Sequence, residues 1–334
     1  AISKIYRQCA LQEGDFVYEN FQSRVKATLE RAGELRARLA AMYDEQAPLG
    51  VNVIQGRARF VGEHKVEIID SSGLVSKVVT ADAILIASGS IATRFSWIPF
   101  DQPGFFDSDN IATLSRRPER MVILGAAIIG CEYAQIFRSF GSEVTVVDIG
   151  DRVMPSCDRD VSQMMQETMQ SDGITVALES CVKFDSTNPL RVNIHPKEDE
   201  AAGTANWVTC DTFLAATGRR GNTDDLNLAS IGLVADRNGR IPVHETSMWT
   251  GKAKIYAAGD AAGENEIRPG GLVTTGQAQA IRAIYAMHIN EWPSISFKAD
   301  YYDDVATAIW TRPDVAYVGP TEENARQRYG ATAV

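Results

Sequence analysis

The sequence has little with which to do covalent chemistry by itself. Its 334 residues hold five scattered cysteines (Cys9, Cys131, Cys157, Cys181, Cys210) with no C-x-x-C, and four dispersed histidines (His64, His195, His244, His288). That pattern excludes a disulfide framework, predicts a reduced, cytoplasmic setting, and offers no legible metal site. No apolar run nears the roughly 20 residues of a membrane span, and the first residues lack the pattern of a signal peptide. Positive charge is also short. With 33 basic against 43 acidic residues the net charge is −10, which argues against nucleic acid and anionic membranes as partners.

What is present is ordinary globular material, 45% apolar and 23% charged, in a chain long enough for two or three domains. Phe21, Val25, Leu29, Ala32, Leu35, Leu39 and Met42 recur at spacings of three and four, predicting a helix over about residues 18–42. Packing on its own domain and binding a partner helix both fit that stripe. The opening "AISKIYRQCALQEG" also reads as helical. From residue 51 the period becomes two. "VNVIQGRARFV", "HKVEIID" and "SKVVTADAILIASGS" read as strands, the last with a buried apolar strand at 83–87 ending in a small-residue turn. "FSWIPFDQPGFFDSDN" reads as a connector. Strands and helices then alternate: a strand at 121–124, a helix at 128–139, "EVTVVD", a helix at 160–171, "ITVAL", two strands flanking an acidic loop, and "TFLAATG". This pattern predicts a parallel sheet with helices on its faces. "KIYAAGDAAG" reads as another buried strand, 272–289 as a helix, and "VATAIWTRPDVAYVG" as strands of a further unit.

The stretch "MVILGAAIIGCEYAQIF" at 121–137 nearly spells the dinucleotide fingerprint G-x-G-x-x-G, with Ala127 where the middle glycine belongs. In that motif the first glycine makes a tight turn, here Gly125. The second admits the pyrophosphate, and the third, here Gly130, lets helix and strand close up. A methyl at Ala127 would weaken the phosphate approach by roughly 1–2 kcal/mol, as overpacking does. The uncapped N–H groups and dipole of the helix N-terminus remain. Asp148 ends the next strand, 18 residues after Gly130, where an acid accepts from the ribose 2′-OH of NAD and repels a 2′-phosphate. Arg138 and Arg152 could offset that repulsion or could be solvated helix residues. A bare strand–turn–helix crossover with an incidental aspartate is the competing reading.

Several of these segments resemble one family, the two-dinucleotide flavoprotein oxidoreductases. "GAAIIGCEYAQIF" is similar to its NAD motif, "ILIASGS" to the turn ending the first part of its FAD domain, and "IYAAGDAAG" to its second FAD motif. "DRVMPSCDRDV" resembles the segment after the second strand of the NAD domain, and "TRPDVAYVG" the opening of the dimerisation domain. "FDSDNI", "IIGCEYAQIF" and above all "TGRRGNTDDL" resemble its transhydrogenase branch, other branches usually having proline where Gly221 stands.

The resemblance implies an α/β fold of two Rossmann-like domains, an FAD domain interrupted by an inserted NAD domain, and the start of an α+β dimerisation domain. The implied boundaries are 1–112 and 246–300 (FAD), 113–245 (NAD(P)) and 301–334 (dimerisation). It implies that Gly125, Ala127, Ile129, Gly130, Glu132, Asp148 and Gly218 hold NAD. Ala87, Ser88, Gly89, Gly259 and Asp260 would contact FAD. The implied reaction is FAD-dependent hydride transfer between NADPH/NADP and NAD/NADH, with no side-chain nucleophile. An NAD-dependent relative of dihydrolipoamide dehydrogenase and a non-catalytic nucleotide-binding fragment are the alternatives. The family's first FAD motif, redox cysteine pair and C-terminal His–Glu region have no counterpart here, so an internal fragment is expected. The family's homodimer would then be weakened or lost.

Overall fold

A computed structural model of the chain describes residues 15–45, 51–198, 206–263, 271–288 and 305–330. Its first element is the long helix α1 (Asp15–Glu45). The antiparallel meander β1 (Arg57–Gly62), β2 (Lys65–Ile69) and β3 (Val75–Thr80) follows, then the short strands β4 (Ile84–Ile86), β5 (Ser90–Ala92) and β6 (Phe105–Asp107). The central unit runs β7 (Arg120–Leu124), α2 (Ile128–Ser139), β8 (Glu143–Val147), α3 (Arg159–Ser171) and β9 (Thr175–Ala177). An antiparallel trio β10 (Ser180–Phe184), β11 (Arg191–Pro196) and β12 (Trp207–Thr209) leads to β13 (Thr212–Ala215). β14 (Arg219–Gly221), β15 (Ile255–Ala257), α4 (Val273–His288), β16 (Thr307–Ile309), β17 (Val315–Tyr317) and α5 (Glu322–Tyr329) complete the described chain.

The architecture is α/β and Rossmann-like. The main sheet is parallel throughout, in the order β6-β13-β7-β8-β9. Its middle strands are continuous apolar runs, as strands covered on both faces must be, and Val122, Ile123, Phe213 and Leu214 are fully buried. The chain leaves β7 towards β8 on one side and returns through β13 on the other, so the crossover direction reverses between β7 and β13. Ligands bind outside the carboxyl ends of strands at such a switch point. A second parallel pair, β4 with β15, lies outside this sheet, and β5 joins β14 antiparallel.

Two sequence readings change in detail. The connector "FSWIPFDQPGFFDSDN" contributes β6, the edge strand of the main sheet; three residues are too few to show a period. The predicted helix over 18–42 is present, but only its first turns are covered. Tyr18, Phe21 and Val25 pack against Phe137 and Phe140 of the central unit, whereas Leu29 and Leu35 are about half exposed. The opening reading of residues 1–14 and the acidic loop at 199–205 lie outside the described residues, as do the side chains of Leu39 and Met42.

Candidate nucleotide-binding site

The β7–α2 turn is built by two close approaches. A Cβ on Gly125 would run into the carbonyl of Ala216, which follows β13, and Gly125 sits at φ +113°. A Cβ on Gly130 would overlap the carbonyl oxygen of Gly125 itself. The two glycines therefore let α2 start directly against the ends of β7 and β13. Ala127 is different. It is exposed, has φ −75°, and stands at the N-cap without a side-chain hydrogen bond, so no side chain blocks the helix N-terminus.

Asp148, just beyond β8, closes the other side of the turn. Its Oδ2 accepts the Ala126 N–H at 2.6 Å and its Oδ1 accepts the Gly150 N–H at 2.7 Å. Each carboxylate oxygen keeps further acceptor capacity. Around this turn lies a cavity of about 590 Å³, within the range that takes a small ligand. Gly125, Ala127 and Asp148 line it, with Gly218 and Thr217 from the β13–β14 segment, Ser180, Cys181 and Val182 from β10, and Phe95 and Trp97 from the connector.

Of the seven residues expected to hold NAD, four (Gly125, Ala127, Asp148, Gly218) share this cavity. Ile129 and Gly130 stand behind them in the first turn of α2. Glu132 lies elsewhere: its Oε1 accepts the Trp310 N–H at 2.8 Å, and burial raises its pKa. Arg138 lies at the far end of α2, donating to the carbonyls of Asp172 and Ser142. Arg152 pairs with Glu323 of α5 at 3.0 Å. Among the described residues, no Lys or Arg lines the cavity.

The five residues expected at the flavin also come together, because β4 and β15 run side by side and end together. Ala87, Ser88 and Gly89 follow β4, and Gly259 and Asp260 follow β15. Asp260 accepts the Ser90 hydroxyl at 2.6 Å, and that hydroxyl in turn accepts from Arg219 Nε at 2.9 Å. Arg219 also pairs with Asp109 at 2.6 Å, tying this turn to the connector. A Cβ on Gly89 or Gly259 would meet nothing within 4 Å, and the buried Ser88 Oγ finds no partner among the described residues. An open cradle with an orphaned hydroxyl fits a polar cofactor laid across both turns. Gly221 donates its N–H to the Asn238 carbonyl at 2.8 Å, and a Cβ there would strike Gly239. Proline would lose that bond.

The profile of the pyridine nucleotide-disulphide oxidoreductases matches residues 3–285. The chain belongs to this family. It is a family of flavoprotein oxidoreductases that use FAD with a nicotinamide nucleotide. Within the family, the chain is 31% identical over 312 residues to the soluble pyridine nucleotide transhydrogenase of Colwellia psychrerythraea, covering 93% of this chain and 62% of the relative. It is 32% identical over 292 residues to the dihydrolipoyl dehydrogenase of Bacillus subtilis, covering 84% and 57%. In structure it is similar to an HOCl-induced flavoprotein disulfide reductase from Escherichia coli, with a TM-score of 0.74 at 24% identity over 98% of this chain and 68% of that one. The chain thus spans about three fifths of the length of these curated relatives. The four described cysteines are all free. Burial is the main cause that raises the Cys131 and Cys210 thiols to about 12 and pushes up that of Cys157. Thiols raised in this way are poor nucleophiles at neutral pH. No described helix is long and apolar enough to cross a membrane.

The cavity wall from Phe95, Trp97 and β10 was not legible as site material. Its one signal was a connector rich in aromatics, with Phe95 and Trp97 flanking Ser96.

Proposed function

We propose that this chain is the nucleotide-binding body of an FAD-dependent oxidoreductase that transfers hydride between nicotinamide nucleotides, a transhydrogenase. The observation that carries this reading is the cavity at the sheet's switch point, joined through the β5–β14 ladder to the open cradle beside β4 and β15. The N-terminus of α2, reached past Gly125 and Ala127, would take the pyrophosphate. Asp148 would accept from the adenosine ribose, and the Thr217–Gly218 side would lead the nicotinamide towards the cradle. There Ala87, Ser88, Gly89, Gly259 and Asp260 would hold FAD, with Arg219 fixing Asp260 through Ser90. FAD supplies the hydride-accepting ring when bound; the protein's share is orientation and exclusion of water. No described thiol is asked to act.

One observation favours a second reading, an NAD-linked enzyme of the dihydrolipoyl dehydrogenase kind. A 2′-phosphate would meet the Asp148 carboxylate with no cation among the described cavity residues to offset it, because Arg152 is turned to Glu323 and Arg138 is remote. The visible spectrum of the purified chain, taken before and after anaerobic NADH and then NADPH, separates the readings. A flavin band bleached by both supports transhydrogenation, and bleaching by NADH alone supports the second reading. A colourless chain that still binds NADH would leave only a nucleotide-binding body.

A further inference from the structure

Phe95 and Trp97 stand about half exposed on the cavity wall, at 43% and 51%. Their connector is pinned to the Gly218 side. The Thr93 N–H donates to the Gly218 carbonyl at 3.0 Å, and the Thr217 hydroxyl donates to the Thr93 carbonyl at 3.3 Å. Beyond Phe95 the chain turns, the Ile98 N–H donating to the Phe95 carbonyl at 3.1 Å, and Ile98 is buried in the core. The rings of Phe95 and Trp97 stack, with centroids 6.1 Å apart and 20° between planes. Trp97 leans in turn on Phe184 of β10 at 5.8 Å, and Phe184 packs edge-on against Phe105 of β6 and Phe213 of β13. The row is therefore fixed from the sheet outward and ends in apolar faces at a cavity, a surface on which a planar ring stacks.

The order of the sheet indicates which end of a dinucleotide this surface meets. Asp148 follows β8, the helix turn follows β7, Thr217 and Gly218 follow β13, and β6 lies beyond β13. Strands in a sheet stand about 4.8 Å apart, so β8 and β6 are separated by roughly 14 Å. A nucleotide with its adenosine ribose at Asp148 and its pyrophosphate at α2 carries its nicotinamide half towards β13, where the aromatic row is anchored. The charge fits as well. Arg94, beside Phe95 in the chain, is held by the buried Asp107 at 2.6 Å and lies over the Phe100 ring, and among the described residues no Lys or Arg lines the cavity. No lining cation therefore opposes the oxidised nicotinamide, a planar cation of the kind that aromatic faces attract. We propose that the Phe95–Trp97 stack is the platform for the nicotinamide ring of NAD. This rests on the nucleotide reading of the cavity given above.

The test is to titrate the full chain and its Phe95→Ala and Trp97→Ala variants with oxidised NAD and with ADP-ribose, with thermal melts alongside. The two ligands differ by the nicotinamide ring, and neither reduces a flavin. Each alanine is expected to weaken NAD by about tenfold, in line with the loss of one stacking partner, and to leave ADP-ribose within about twofold. A general loosening of the fold would weaken both ligands, so the ratio of the two affinities reads the ring alone. Should an alanine variant fail to melt cooperatively, Phe95→Leu and Trp97→Leu, which keep apolar bulk without a π-face, decide by the same criteria. NAD and ADP-ribose weakened by the same factor would assign the pair to the fold or to the adenosine half and overturn the proposal. Unchanged NAD binding in both variants would overturn it too and leave the nucleotide site standing. Failure of the unaltered chain to bind either ligand would overturn the site reading with it.

Discussion

The turn after β7 and the turns after β4 and β15 look alike in sequence and differ in what their glycines face. In the β7–α2 turn, Gly125 and Gly130 are required by the protein's own backbone: a methyl at either would collide with a carbonyl of the same fold. In the turns after β4 and β15, among the described residues, a Cβ on Gly89 or Gly259 would meet nothing within 4 Å and the Ser88 hydroxyl beside them has no partner. A glycine fingerprint can thus record helix–strand packing rather than a ligand. What the first turn presents to the cavity is Ala127, Asp148 and the uncapped helix end. In the turns after β4 and β15 the backbone also asks for glycine, Gly89 lying at φ +73° and Gly259 at φ +68°, but the described residues leave the space beside them open.

The sharpest way to break this comparison is to add one methyl to each. Gly130→Ala should destabilise the chain by more than about 3 kcal/mol, since neither the Gly125 carbonyl nor the strand behind it can retreat cheaply. Gly259→Ala should cost only about 1–2 kcal/mol, the strain of a left-handed backbone, here φ +68°, for a residue with a Cβ. Urea midpoints of the two variants decide. Equal losses would mean that the packing around α2 is looser than its geometry indicates.

Which parts were readable from sequence follows the same line between local and distant demands. The β7–α2–β8 unit is legible because its signals are local: an apolar run, Gly125 to turn, and Gly141 to end the helix. The helix bounds 128–139 coincide with the observed Ile128–Ser139. β4 and β15 are each legible as short apolar strands that run into small residues, but their parallel pairing, across 168 or more residues, is not. Glu132 was not legible as a support for the C-terminal hairpin, because its partner Trp310 lies 178 residues away and nothing near Glu132 reports it. The aromatic wall stayed hidden for a related reason. A turn gives no periodicity, so the direction of Phe95 and Trp97 depends on the burial of Ile98 and on the more distant partners Asp107, which holds Arg94, and Phe184, which meets Trp97.

A middle-sized effect should come from Asp148, which serves the fold and the ligand at once. Asp148→Ala removes the acceptor for two backbone N–H groups, those of Ala126 and Gly150, and should cost about 1.5–3 kcal/mol, as hydrogen bonds to a charged group do. It should also shift the affinity ratio of NADPH to NADH towards NADPH by about tenfold, by removing the like charge that a 2′-phosphate meets. Titrating both nucleotides into Asp148→Ala and Asp148→Asn checks this. An unchanged ratio in both variants would confine Asp148 to the fold and reduce the first turn to a packing motif.

The smallest change in stability, and the finest probe of the contrast, is Ala127→Gly. Ala127 is exposed, its φ of −75° suits any L-residue, and a Gly in place of Ala at an N-cap is slightly favourable, so the folded chain should shift by no more than about 0.5 kcal/mol. Its methyl lines the cavity at the mouth of α2, where a phosphate would come closest to the helix N–H groups. Removing it should tighten NADH binding by about tenfold, the equivalent of the ~1–2 kcal/mol that a misplaced methyl costs. Tighter binding with an unmoved melting temperature would show a residue that acts on the ligand alone, unlike Gly125 and Gly130 three residues or fewer on either side. Unchanged affinity would mean that the nucleotide's phosphates lie far enough from the helix end for a methyl, or a bridging water, to fit between. The burden of holding the nucleotide would then pass from the fingerprint to Asp148 and the aromatic wall.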